Sequence, residues 1–349
     1  MNASPGQTLR TPRQLATNGL AEAADIAELE RVTTRYAMAI TPSVQQLLRQ
    51  AEARDAIARQ YLPSRDELIV TPGEVDDPIG DRAHSPVKGI VHRYPDRALL
   101  MPTQVCAVYC RFCFRREAVG PDHGGLNDAE LETALNYIRR TPAIWEVILT
   151  GGDPLILSAR RLGEIITALD DIPHVATIRI HSRVPVAAPE RIDQTLLDVL
   201  AAAHKPINLA IHCNHSAELT PAAIAACQRL RKSGVALFGQ SVLLKGVNDD
   251  AVILEALFRG MVAAGIKPYY LHQLDRAPGT SHFAVPISRG QEIVKRLRGK
   301  LSGLAQPTYI LDIPGGAGKV PIGPGYLSSS DDQVIVEDPH GTQHVLPVG

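Results

Sequence analysis

From residue 97 onward, short apolar runs alternate with longer stretches in which apolar positions recur every three or four residues. The short runs predict strands at Ala98–Met101, Glu146–Leu149, Ala176–Ile180, Ile207–Ile211, Val235–Gly239 and Lys267–Leu271. The longer stretches predict helices near 158–170, 189–203, 221–233, 250–264 and 287–301. One more helix opens at Asn127, where Glu130 completes a capping-box signature and Leu131, Ala134, Leu135 and Ile138 share a face. Thr220, Pro221 and Gly234 start and stop another. Buried strands alternating with amphipathic helices imply an α/β protein with a parallel sheet. A further strand, Thr308–Leu311, leads into a glycine-rich run.

Upstream the pattern differs. Residues 14–70 read as helical, with one helix over Leu20–Ile40 ended by Pro42 and a second over Ser43–Gln60. Pro72 to Pro86 is a connector dense in turn residues. The polar start, Met1–Gln14, is expected to fray. The chain thus divides into a helical region with its connector (1–85), a sheet-forming region (86–330) and a tail with a short hairpin (331–349).

Charge narrows the function. With 36 basic and 37 acidic residues in 349, nothing marks a general nucleic-acid binder. No apolar run reaches the length of a membrane span, and the N-terminus has no signal-peptide core. Three of the five cysteines are clustered, which argues against a disulfide framework and for a reducing, cytoplasmic setting.

Those three are Cys106, Cys110 and Cys113, spaced Cys-x3-Cys-x2-Cys with Phe112 before the last. A closed zinc site takes four protein ligands, and a ferredoxin cluster four cysteines. Three thiolates on one loop can hold three irons of a 4Fe–4S cluster and leave the fourth open to a ligand. A buried cysteine cluster or an incomplete zinc site is the bland alternative. Cys227 shares an apolar helix stripe with Ala223, Ile224 and Leu230 and reads as core; Cys213 has no assignment.

Other motifs fall at strand ends, where sheets of this kind gather function. Thr150-Gly151-Gly152-Asp153 is a strand-to-helix turn or a place of close backbone approach to a ligand. Ser182 and Arg183 end a strand, where a guanidinium suits a carboxylate. Gln240 and Asp275 occupy equivalent positions. His92 to Arg97 is a basic turn whose Arg93, Tyr94 and Arg97 can clasp a phosphate. Arg115 and Arg116 balance cluster charge or bind a substrate carboxylate. Asp312 opens Asp-Ile-Pro-Gly-Gly-Ala-Gly-Lys319, which is not a phosphate-binding P-loop. Its first glycine position is Ile313, and Val320 follows the lysine. Lys319 instead suits Schiff-base chemistry, or is a surface lysine in a turn.

The cysteine loop resembles that of the radical S-adenosylmethionine (SAM) enzymes. The ordered set HRYPDR, CAVYCRFC, TGGDP, HSRVPV, QSVLLKGVND, KPYY and DIPGGAGK narrows the likeness to the lysine 2,3-aminomutase family, over roughly 85–330. The resemblance implies a partial (β/α)6 radical SAM barrel behind an N-terminal helical region. It implies a 4Fe–4S cluster on the three cysteines, with SAM met by Gly151, Gly152, Asp153, Ser182, Arg183 and Gln240. Pyridoxal 5′-phosphate (PLP) would be tethered to Lys319 and contacted by Arg93, Tyr94 and Arg97. Arg115 would take the α-carboxylate of L-lysine, and Asp275 with Asp312 its ε-ammonium. The implied reaction is an isomerisation: a SAM-derived radical takes hydrogen from Cβ, and the amino group moves from Cα to Cβ.

The chain also departs from the longer family members. It lacks their cysteine-rich C-terminal zinc region, and Asp250 stands where the remaining zinc ligand falls, so no structural zinc is expected. The length and the Cys-Phe-Arg-Arg sequence are similar to the branch that makes (R)-β-lysine for elongation factor P. That branch implies a ligase as partner, beside an electron donor of the flavodoxin or ferredoxin type. The alternatives are an aminomutase for arginine or another cationic amino acid, and a non-catalytic iron–sulfur protein.

Overall fold

A computed structural model describes residues 6–50, 53–330 and 333–347. Nine strands lie in chain order in one sheet: β1 (Ile90–Tyr94), β2 (Arg97–Thr103), β3 (Glu146–Gly151), β4 (Thr177–Ser182), β5 (Ile207–His212), β6 (Ala236–Val242), β7 (Lys267–His272), β8 (Thr308–Ile313) and β9 (Gly318–Pro321). Strands β2 to β8 pair in parallel, and β1 and β9 pair antiparallel at the two edges. Helices 128–139, 159–170, 194–201, 221–232, 251–263 and 287–298 follow β2 to β7 in turn. This is the expected (β/α)6 unit, and β8 adds a seventh parallel strand.

The strand period explains the architecture. Val147, Leu149, Ile178 and Ile180 point outward into a core shared with Leu131, Leu135, Ile165 and Leu169 of the helices. Their alternates Glu146, Ile148, Thr150, Arg179 and His181 point inward and line a cavity. The sheet curls until its edges nearly meet, and the backbone N–H of Lys319 on β9 donates to the Tyr94 hydroxyl of β1 at 2.8 Å.

Several expectations need correction. The basic run His92–Arg97 is not a free turn: it closes the β1–β2 hairpin. Lys319 stands not on a loop but on β9, directly across from Asp312. The two N-terminal helices are four short ones, Pro12–Thr17, Ile26–Arg35, Pro42–Leu47 and Arg54–Tyr61. Pairing of Leu9 with Ile40 keeps the end of the expected first helix extended, so tertiary contact overrides helical spacing there. Leu9 is buried, so the part of the start that is described is docked; residues 1–5 lie outside the described residues. The helix expected over 189–203 begins only at Gln194, after Pro189, with Asp193 as its cap. The expected tail hairpin is β11 (Gln333–Glu337) with β12 (Gln343–Pro347), and β10 (Leu327–Ser330), from before the tail, extends it to a three-stranded antiparallel sheet.

The N-terminal helices pack through Leu15, Val44, Leu47, Ile57 and Tyr61 against Val108 of the cysteine loop and Ala187. They therefore buttress the loop from behind. No described helix is long and apolar enough to cross a membrane.

Candidate active site

The cysteine loop leaves the C-terminal end of β2 and is shaped by the two glycines at the end of β3. Gly152 N–H donates to Thr103 O at 2.7 Å, and Asp153 N–H to Val105 O at 2.9 Å. A Cβ on Gly152 would lie 2.3 Å from Val105 O, and Gly151 has φ +98°. Only glycine lets this strand end lie against the loop. Behind the loop, Glu67 accepts from Arg111 at 2.6 Å and 3.0 Å and also from Arg116. Arg116 is buried over the Tyr36 ring at 3.5 Å, so it braces the loop and is not free to bind a substrate.

Cys110 and Cys113 line the cavity, while Cys106 packs toward Ala39, Tyr109 and Val119. Burial pushes the Cys106 thiol well up, and Asp153 and the other two cysteines add to it. Burial likewise pushes Cys113 up to about 11. Ionising Cys106 and Cys113 needs a nearby positive charge, which a metal centre supplies. Among the described residues no three His, Cys, Asp or Glu side chains are spaced for a single ion. Three sulfur donors on one loop fit a multi-iron centre.

Asp153 and Ser182 bind each other. The Ser182 hydroxyl donates to Asp153 Oδ1 at 2.8 Å, and the N–H of Arg183 to Oδ2 at 2.8 Å. Burial raises the Asp153 carboxyl, and these donors only partly counter it. The pair ties the end of β4 to the turn after β3. Arg183 is buried; it donates to Cys110 Sγ at 2.8 Å, to Gln60 at 2.5 Å and to Glu218 at 2.7 Å. Burial disfavours its charge, but Cys110 and Glu218 more than offset this and hold it protonated. Tyr61 donates to the same Glu218 oxygen at 2.8 Å.

The cavity holds about 500 Å³ inside the curled sheet. It does not stop at the C-terminal strand ends, as the sequence predicts. It runs down to Arg97, Trp145, Glu146 and Arg179 at the N-terminal ends. Gln240 lines its wall. At one pole Lys319 Nζ pairs with Asp312, and His272 Nδ1 lies 3.7 Å from the same carboxylate. Burial alone would raise Asp312, but His272 and Lys319 overcome it and bring the carboxyl down to about 2. Asp275 has the opposite balance. Burial and the Asp312 charge push it up to about 7, against the pull of Lys319, Arg115 and Arg93. Arg97 stacks on Tyr94 at 3.7 Å and pairs with Asp96 at 2.7 Å. Arg93 Nη2 lies 3.0 Å from Asp81, its Nη1 3.7 Å from Asp312, and its buried Nε has no partner among the described residues. Arg115 Nε donates to Asp81 at 2.8 Å.

The cavity therefore brings together Cys110, Cys113, Arg93, Tyr94, Arg97, Arg115, Gln240, Asp275, Asp312 and Lys319. Cys106, Gly151, Gly152, Asp153, Ser182 and Arg183 form its frame on the cysteine side. No motif marked Asp81, Glu67, Gln60 or Glu218. The surplus of acidic residues in the connector, Glu74, Asp76, Asp77 and Asp81, was the one available signal for the first.

Residues 100–256 match the Radical SAM superfamily, and residues 294–347 match Lysine-2,3-aminomutase. The chain is 42% identical over 305 residues to L-lysine 2,3-aminomutase of Clostridium subterminale, covering 87% of this chain and 73% of that protein. The chain belongs to the lysine 2,3-aminomutase family of radical SAM enzymes. It is 38% identical over 287 residues to the L-lysine 2,3-aminomutase of Escherichia coli (strain K12), 82% of this chain and 83% of that protein. Identity is 35% over 308 residues to a glutamate 2,3-aminomutase of Clostridioides difficile (strain 630), 88% of this chain and 72% of that protein. This aminomutase is thus an isomerase, and the family's cofactors are a 4Fe–4S cluster, SAM and PLP. Membership sets aside the reading of a non-catalytic iron–sulfur protein.

Proposed function

We propose that this aminomutase moves the amino group of L-lysine from Cα to Cβ and releases β-lysine. One observation carries the reading: Lys319, Asp275 and Asp312 share a single cavity with Cys110 and Cys113. When bound, the cluster and SAM supply radical hydrogen abstraction, and PLP supplies the electron delocalisation that lets nitrogen pass between neighbouring carbons.

The chain's own residues do the rest. Cys106, Cys110 and Cys113 hold the cluster, and Arg183, fixed by Glu218 and Gln60, donates to Cys110. Gly151, Gly152, Asp153, Ser182, Arg183 and Gln240 shape the SAM side, with Asp153 and Ser182 acting through the loop they tie. Lys319 tethers PLP, and Arg93, Tyr94 and Arg97 receive its phosphate. Arg115 takes the substrate α-carboxylate. Asp275 and Asp312 take the ε-ammonium, and His272 steadies Asp312. Val91, Leu99, Ile148 and Val242 give the cavity apolar walls that exclude water.

Because a relative is named for glutamate, family membership alone leaves the side chain open. Two carboxylates at one pole favour a cation and repel a glutamate side chain. Arginine is the competing cationic substrate. We further assign β-lysine supply for elongation factor P to this enzyme, with a separate ligase as recipient and a flavodoxin or ferredoxin as electron donor, in the cytoplasm. The test is anaerobic incubation of reconstituted protein with labelled L-lysine, SAM, PLP and reductant, followed by chiral analysis of the product. β-Lysine is expected, and arginine and glutamate do not compete. Unchanged lysine from fully loaded protein overturns the proposal.

A further inference from the structure

The connector before β1 does more than join two regions. It contributes Ile79 to the cavity lining and is fastened at two points, one after Asp275 and one before Lys319. Glu74 accepts from the backbone N–H groups of Gly279, Thr280 and Ser281 at 2.9–3.2 Å. Val75 N–H donates to Arg276 O at 3.0 Å. That end is held by the segment that follows Asp275. The other end is held beside Lys319. Gly315 N–H donates to Pro78 O at 3.2 Å, and a Cβ on Gly80 would lie 2.6 Å from the Gly315 backbone. Between these points Asp77 accepts from Asp81 N–H at 2.8 Å and from Arg82 N–H at 2.9 Å, fixing the turn that presents Asp81.

Asp81 divides its two oxygens between two arginines. Oδ1 takes Arg93 Nη2 at 3.0 Å, and Oδ2 takes Arg115 Nε at 2.8 Å. All three side chains are at most 15% exposed. The choice of Nε matters. A guanidinium held at Nε keeps both terminal nitrogens for a second carboxylate, in the bidentate geometry that suits it. Arg93 reaches on from Asp81 to Asp312, which pairs with Lys319. One chain of alternating charge, Arg115–Asp81–Arg93–Asp312, therefore links the carboxylate-binding fork to the ammonium-binding pole.

We propose that Asp81 is a positioning residue that sets the spacing between these two poles, and with it the length of amino acid the enzyme accepts. The inference rests on the lysine reading above. It follows from the fastening: the strap is tied to the segments bearing Asp275 and Lys319, so Arg115 is held at a distance fixed by the site itself. Asp81 touches no substrate atom in this scheme. It orients the fork that does.

The test compares wild type, Asp81→Asn and Asp81→Glu, each loaded with cluster and PLP. Two readouts are taken: the lysine-induced change in PLP absorbance without SAM, and kcat and KM for lysine and for ornithine, one methylene shorter. Asp81→Asn is expected to raise the lysine KM and the titration midpoint roughly tenfold, the equivalent of one charge-assisted contact, with kcat within about threefold. It is also expected to shrink the preference for lysine over ornithine. Asp81→Glu keeps the charge on a longer arm, so it restores tight carboxylate binding but shifts the length preference. Unchanged midpoints and an unchanged lysine-to-ornithine ratio in both variants overturn the proposal. So does a loss of PLP loading and thermal stability in both without any change in that ratio. If lysine leaves the wild-type spectrum unmoved, the lysine reading itself falls, and the spacing role falls with it.

Discussion

The opposite states of Asp275 and Asp312 predict how activity responds to pH. Asp275 sits at about 7 because burial and the Asp312 charge disfavour its ionised form. Asp312 is held at about 2 and stays ionised throughout. In the role proposed for the pair, an ε-ammonium needs both carboxylates charged, so kcat/KM for lysine should rise with pH through about 7. A carboxyl titrating near 7 is roughly one-tenth ionised at pH 6 and nine-tenths at pH 8, which gives close to a tenfold rise. Relative to a carboxylate in water, the ionised form is disfavoured by roughly 4 kcal/mol, and pairing with the substrate cation recovers part of this. Tethering PLP at Lys319 removes one of the cations that pull Asp275 down, so the limb moves upward and not downward. The assay is initial rate at low lysine from pH 5.5 to 9 under anaerobic conditions, for wild type and Asp275→Asn. The variant should lose the limb and bind lysine more weakly above about pH 7, converging with wild type at the acid end, where Asp275 is protonated. A flat wild-type profile, or a limb near 7 that survives in Asp275→Asn, refutes the reasoning.

Three further outcomes are expected. Lys319→Ala should abolish the PLP absorbance band yet leave iron content after reconstitution unchanged, because Lys319 is remote from the cysteine loop in the chain and shares only the cavity with it. Gly152→Ala should lower iron retention sharply, since its Cβ would meet Val105 O at 2.3 Å and displace the loop; iron analysis and visible absorbance report it. Glu67→Gln should destabilise the fold by roughly 3–5 kcal/mol in urea unfolding, since it leaves Arg111 and Arg116 buried without a counter-charge. Burial raises the Glu67 carboxyl but the two arginines outweigh it and lower it, so its contribution is present above the ordinary carboxylate range and is lost as pH falls through its folded value.

Much of this enzyme is legible in its primary structure, for a physical reason. Strand and helix periods are local, so Val147 and Leu149 announce an outward face and Leu131 and Leu135 a helix stripe before any contact is known. The cysteine loop is legible too, because three of the five cysteines fall within eight positions, whereas the glycine-rich run alone leaves Lys319 open between a Schiff-base lysine and a surface one, and only the family resemblance favours the first. Period says where a side chain points but not what it meets. Arg115 finds Asp81 across 34 residues, Arg111 finds Glu67 across 44, and Arg183 finds Gln60 across 123. An aspartate in a turn-rich connector looks the same whether it faces water or two arginines. Tertiary packing made the difference: the curled sheet encloses a cavity that reaches down to Arg97 and takes Ile79 of the connector into its lining. Sequence determined the chemistry and the element types, because both are properties of residues and their near neighbours. Tertiary structure decided which charges face one another, because electrostatic energy depends on distance in space, and only the packed sheet sets that distance.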